Sequence, residues 1–100
     1  VTTPIAMDIT ATLGGNLSLT AVSVILSGFL GALFGPAVLK LLRIKSPVAK
    51  GLAMGCSSHG LGTAKAIELG SVEGALSGLS IALMGIVTAL IIPIFNFFFL

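Results

Sequence analysis

Two long uncharged runs dominate the pattern of this chain. Residues 17–39 and 74–100 contain no Asp, Glu, Lys or Arg. A membrane-spanning helix needs about 20 predominantly apolar residues. Transmembrane helices are therefore predicted over 17–42 and 74–100, the second with some tilt. Gly28, Gly31, Ala32 and Gly35 give the first run a small-residue face. Gly31 and Gly35 are spaced for close helix contact. Pro36 is expected to kink or end that helix. Gly70, Gly74, Gly78 and Ala82 recur every four residues and are expected to form the packing stripe of the second.

Two shorter segments accompany these runs. The first covers 3–15. Thr3 precedes Pro4, which reads as a hydroxyl N-cap with proline at the first helical position. Gly14-Gly15 ends the segment, and Asp8 lies within it. Its roughly eleven helical residues rise about 16 Å, half a bilayer. The second covers 46–70, where Ser46-Pro47 repeats the start signal. A short helix is expected from Pro47 to Cys56. Gly60 and Gly62 are expected to break it, and a second short helix to follow from Thr63 to Leu69. The pattern leaves two courses open: half-helices crossing in series, or a segment that dips in and returns. The expected fold is one all-α integral membrane domain with two full transmembrane helices. Two short or broken half-membrane segments complete it, as in half of an inverted-repeat transporter.

Composition narrows the class. Only 8% of the 100 residues are charged, against about a quarter in soluble domains. Mean hydropathy is +1.21, which excludes an ordinary soluble domain. A net charge of +2 is too small to point to nucleic acid. One cysteine excludes an internal disulfide and a cysteine-rich metal site. Lys40, Arg43, Lys45 and Lys50 cluster after the first run. By the positive-inside rule that connection faces the cytoplasm, against lipid headgroups. The chain starts at Val1 within a structured motif, with no signal-peptide pattern. An N-terminal half carrying further membrane segments is expected upstream.

The stretch Ser57 to Lys65 stands out against this background. It gathers serine, histidine, threonine, lysine and glycine in a sequence otherwise close to hydrocarbon. In lipid, irregular backbone is tolerated only where protein buries it or where it lines a watery cavity. Ionisable residues at such depth are functional candidates by default.

Several motifs resemble one known family. They are Thr2-Thr3-Pro4-Ile5-Ala6-Met7-Asp8 with Leu13-Gly14-Gly15, Gly51-Leu52-Ala53-Met54-Gly55, Ser58-His59-Gly60-Leu61-Gly62-Thr63-Ala64-Lys65-Ala66, and Glu73-Gly74-Ala75-Leu76-Ser77-Gly78-Leu79. Long and ungapped, they are similar to the C-terminal half of the LrgB/CidB family. The resemblance implies one of two activities. The first is a holin/antiholin-like role in membrane permeability, murein hydrolase activity and cell lysis, beside an LrgA/CidA-like partner. The second is transport of a small carboxylate: pyruvate in bacteria, glycolate and glycerate in plastid relatives. It implies the bacterial inner membrane ahead of the plastid envelope.

The carrier reading has a physical basis. Half-helix N-termini present unpaired N–H groups and a positive dipole end, which transporters aim at anionic substrates. Thr3-Pro4 and Gly62-Thr63 both read as such ends. Thr2, Thr3 and Thr63 would add hydroxyl donors, with Ser58, Gly60 and Gly62 beside them. Lys65 would add fixed charge and His59 a proton near neutral pH. Plainer readings stand alongside. His59 can hydrogen-bond a backbone carbonyl freed by the break. Lys65 can pair with Glu68 or snorkel to water. Asp8 either binds a coupling proton or cation, or neutralises Lys65. Ser57 and Ser58 either cap the following half-helix or touch substrate. Cys56 reads as a packing residue. No cofactor or metal is expected, since His59 has no second ligand at helical spacing.

Three functions compete: a monocarboxylate carrier, a holin/antiholin-like interaction or pore protein, and an intramembrane enzyme. The enzyme is weakest, because no catalytic set can be assembled from this inventory. A pore has no need of a localised His59–Thr63–Lys65 constellation, which favours the carrier. Expected partners are the bilayer, a small carboxylate, the N-terminal half, an LrgA/CidA-like protein and further copies of the chain.

Overall fold

In the computed structural model, which describes residues 1–99, the chain is helical almost throughout. Helix α1 covers Thr3–Leu13, α2 Leu17–Leu41, α3 Pro47–Leu69 and α4 Ser71–Phe99. Helices α2 and α4 are long and apolar enough to cross a membrane. Their flanks leave Phe29, Leu33, Ile86 and Leu90 more than half exposed. An apolar surface of that extent suits lipid or a protein partner and not water. Leu100, the last residue of the expected 74–100 helix, lies outside the described residues.

The ends of the helices follow local chemistry. Asn16 caps α2 by accepting from the Leu19 N–H at 3.0 Å. Ser46 caps α3 through the Ala49 N–H at 3.3 Å. Gly14 takes φ 75° after α1, and the N–H groups of Gly14 and Gly15 return to Ala11 and Thr10. That is a Schellman closure, for which glycine is the usual residue. Helix α2 runs on through Pro36 to Leu41 rather than ending there.

Helix α3 decides between the two courses left open by the sequence. It is two helices joined at His59, whose backbone sits at φ 43° and ψ −130°. The return half folds back along the first: a side chain at Gly62 would strike the Met54 carbonyl. In a straight helix those residues would be about 12 Å apart along the axis. Ala66 packs with Met54 and Leu39. Leu69 shares a cavity with Lys50, close to where the segment began. The segment therefore dips in and returns as a hairpin of half-helices. Its break falls at His59 and not at the expected Gly60 and Gly62, which are both helical.

The hairpin sits between α2 and α4. Gly35, Gly31 and Gly28 of α2 lie against Met54, Ser58 and His59 in turn. Gly51 lies on Glu73 and Leu76, and Gly55 on Ser77 and Ser80, so α4 runs parallel to the first half. Gly74 lies on Ile67 of the return half. The α2 small-residue face is thus used as expected. The α4 stripe is not: Gly78 and Ala82 are exposed, while Gly74, Ser77, Ser80 and Gly85 are buried. A strict spacing of four drifts about 40° around the helix at each step, so it leaves the face within two turns. Helix α1 packs on α2 and α4 and not on α3.

Few large apolar side chains are enclosed: Val24, Leu39 and Met54 are the main ones. Cohesion rests on close backbone approach at small residues, as expected where lipid offers no hydrophobic drive between helices. Gly31→Val should therefore destabilise by about 1–3 kcal/mol through overpacking against Ser58. Gly78→Ala, with open space at its Cβ position, should be neutral. Thermal unfolding of the full-length protein in detergent checks the pair.

Candidate functional site

The tip of the hairpin brings polar groups together. The first half runs from Pro47 to Ser58, about 18 Å at 1.5 Å per residue, so the tip reaches the middle of a bilayer. His59 is 9% exposed, and its Nε2 lies 2.9 Å from the Val24 carbonyl of α2. A carbonyl only accepts, so Nε2 carries the proton and donates. Nδ1 has no hydrogen-bond partner among the described residues and is not sealed off, since no fully buried side-chain polar atom lacks a partner. A positive φ with ψ near −130° is essentially glycine territory, and a histidine there costs on the order of 1–3 kcal/mol. Such strain persists only when the surroundings over-determine it.

Those surroundings are visible. Thr63 donates from Oγ1 to the His59 carbonyl at 3.0 Å. With its one proton committed there, it accepts from Ser77 Oγ of α4 at 2.7 Å. Ser80 in turn donates to the Ser77 carbonyl at 2.7 Å. The reversal is thus pinned to α2 through the imidazole and to α4 through hydroxyls. Thr63 thus ties the His59 carbonyl to α4 inside the protein, the kind of internal pairing a membrane interior demands.

The expected site residues divide. His59, Gly60, Gly62 and Thr63 gather at the tip. Gly60 is exposed, with nothing within 4 Å of where a Cβ would be. Gly62 is buried against the first half-helix and serves packing. Ser58 is fully buried beneath Gly31, where its side chain leaves no room for a methyl group, so it is closed to a ligand. Ser57 donates to the Ala53 carbonyl at 2.7 Å. The Thr63 hydroxyl proton is spent within the protein. Lys65 lies two turns away from the tip and pairs with Glu68 at 2.9 Å, on a partly exposed surface. The helix-surface reading of Lys65 is the one realised, because three-residue spacing puts the two side chains side by side.

Thr2 and Thr3 do not join this group, since α1 makes no contact with α3. The N-cap position is Thr2 rather than Thr3, and its side chain makes no capping bond. Asp8 does not neutralise Lys65. It lines a cavity of about 360 Å³ between α1 and α4 with Thr12, Pro93 and Asn96. Val24, Ser77 and Ser80 were missed from the sequence. The two serines in an otherwise apolar helix were the available signal; the Val24 contact is a backbone carbonyl and leaves none.

Comparison with known proteins now decides the family. The LrgB-like family model matches residues 1–98. The chain belongs to the LrgB-like family. Among its relatives in Bacillus subtilis (strain 168), the uncharacterized protein YwbG is 46% identical over 93 residues, which are 93% of this chain and 41% of the relative. The antiholin-like protein LrgB is 40% identical over 94 residues, 94% of this chain and 41% of the relative. The uncharacterized protein YxaC is 43% identical over 94 residues, with the same coverage. The chain thus spans about two-fifths of the length of these LrgB-like relatives. No solved structure matches it.

The strained tip gives a prediction for this LrgB-like segment. His59→Gly and His59→Ala both lose the bond to Val24, but only glycine relieves the positive φ. The glycine variant of the full-length protein should be more stable than the alanine variant by about 1 kcal/mol, read as the higher Tm. The reverse order would mean that the reversal is not at His59.

Proposed function

We propose that this segment forms part of a carrier for a small monocarboxylate of the pyruvate, glycolate or glycerate type. The observation that carries the reading is the re-entrant hairpin with the unpaired Nδ1 of His59 at its tip. The return half-helix begins there, so its first N–H groups and positive dipole end point out of the tip beside Gly60. A carboxylate at that position would meet backbone donors, and the unpaired Nδ1, an acceptor in this tautomer, would take a hydrogen bond from a substrate hydroxyl or from the acid form of its carboxyl group. The absence of a Cβ at Gly60 lets it approach the backbone. Carriers place substrates near the midplane at such interrupted helices, between two repeats. The remainder of the full-length protein is where the second repeat would lie. In this reading the basic connection faces the cytoplasm of a bacterial inner membrane, and Lys65 acts through Glu68 and not on the substrate.

The second reading follows the antiholin-like name of one relative. There the segment would act in a holin/antiholin-like protein that alters membrane permeability, murein hydrolase activity and lysis, with an LrgA/CidA-like partner and further copies of itself. What favours the carrier is the cost of holding a histidine in a glycine conformation, which a simple pore does not require.

Uptake of radiolabelled pyruvate, glycolate and glycerate into proteoliposomes holding the full-length protein tests the proposal. Saturable uptake should fall about tenfold in His59→Gln, the worth of one hydrogen bond. Glutamine can still donate to Val24, so the fold is kept while the ring Nδ1 is lost, an amide oxygen elsewhere being its only substitute. Lys65→Ala should change uptake by less than about threefold, as expected for an exposed ion pair. Leakage of an unrelated dye without saturable uptake would favour the antiholin-like reading.

A further inference from the structure

The basic residues form one cavity rather than a scattered charged surface. Lys40 at the end of α2, Arg43 just past its cap, Lys45 in the connection and Lys50 in α3 line a single cavity of about 440 Å³. No acidic side chain lines it. Among the described residues the only ion pair is Lys65–Glu68, so these four cations have no carboxylate partner. The walls are apolar, with Leu39, Ile44 and Leu69 among them. Leu69 ends the return half-helix and Lys50 lies near the start of the first, so the cavity lies at the open base of the hairpin.

Arg43 sets this cavity apart from a plain topology signal. It occupies the residue after the α2 cap at φ 57°. The Arg43 N–H returns to Lys40 and the Ile44 N–H to Leu39, a Schellman closure. Glycine fits that position without strain. An arginine held there in a left-handed backbone carries a planar fork that suits phosphate oxygens.

We propose that this cavity binds a phosphate group, and that its source is the headgroup of an anionic phospholipid. The chemistry shared with a soluble phosphate ester is the cluster of cations. The apolar walls and the place at the end of a spanning helix select the lipid, whose glycerol and first acyl carbons lie beside the phosphate. A lipid seated there bridges α2 to both ends of the hairpin and braces its base. The inference is independent of what the tip binds.

Native mass spectrometry of the full-length protein in neutral detergent tests this, with phosphatidylglycerol, phosphatidylcholine and glycerol 3-phosphate as probes. One phosphatidylglycerol should be retained with about tenfold or greater preference over phosphatidylcholine, and the preference should weaken with salt. Arg43→Gly with Lys50→Gln should lose that preference. Because glycine relaxes the backbone at position 43, an unchanged or raised Tm in Arg43→Gly alone shows that the loss is not misfolding. Equal retention of the two lipids, or full preference in the double variant, overturns the site. Glycerol 3-phosphate binding as tightly as the lipid overturns the lipid as its source.

Discussion

The structure depends on one chain reversal inside an apolar medium. A backbone that turns at membrane depth must satisfy its freed groups within the protein or line a cavity. Here the turn falls at His59, and the neighbouring helices are shaped around it. Helix α2 brings glycines at positions 28, 31 and 35, so that it can lie against the imidazole, Ser58 and Met54. Helix α4 brings Ser77, whose hydroxyl bonds to Thr63 and through it supports the His59 carbonyl. Remove the reversal and neither set of small residues has a purpose. The near absence of a large apolar core follows from the same arrangement, because close backbone contact replaces side-chain volume.

A strained histidine links fold to function. The glycine-like conformation at His59 is costly, and Gly60 next to it would have accepted that conformation freely. The chain instead places the strain on a residue whose side chain reaches α2 and offers a second ring nitrogen. The imidazole donates one nitrogen to α2 and keeps the other unpaired. This combination of fixed orientation and a free ring nitrogen supports a ligand-facing role better than a purely structural one. The charged groups near the surface act differently. Lys65 is satisfied by Glu68, and the four basic residues stand together at the opposite end of the hairpin from the tip.

Much of the fold was legible because its signals are local. The uncharged runs gave α2 and α4, Thr-Pro and Ser-Pro gave the starts of α1 and α3, and Gly14 gave the end of α1. The reversal was not assigned to its residue, since propensity favours Gly60 and Gly62 as breakers, while tertiary contacts to Val24 and Ser77 fix His59. The α4 packing face was misplaced because a spacing of four looks like one face in sequence but winds around a helix. Of the site, the stretch around His59 was visible as polar residues in hydrocarbon. Which of them face a ligand was not visible: Ser58 and Ser57 differ by one position, yet one is sealed under Gly31 and the other is exposed.

Residues 47–69, folded back as a hairpin, enter and leave on one side of the membrane. Single cysteines at Lys50 and Leu69, and a third at Gly15, in a Cys56→Ser background of the full-length protein depleted of other accessible cysteines, test it directly. Each is challenged in sealed, oriented vesicles with a membrane-impermeant thiol reagent. Positions 50 and 69 should be labelled from the same side and position 15 from the other. Labelling of 50 and 69 from opposite sides would contradict it, since the segment would then cross the membrane.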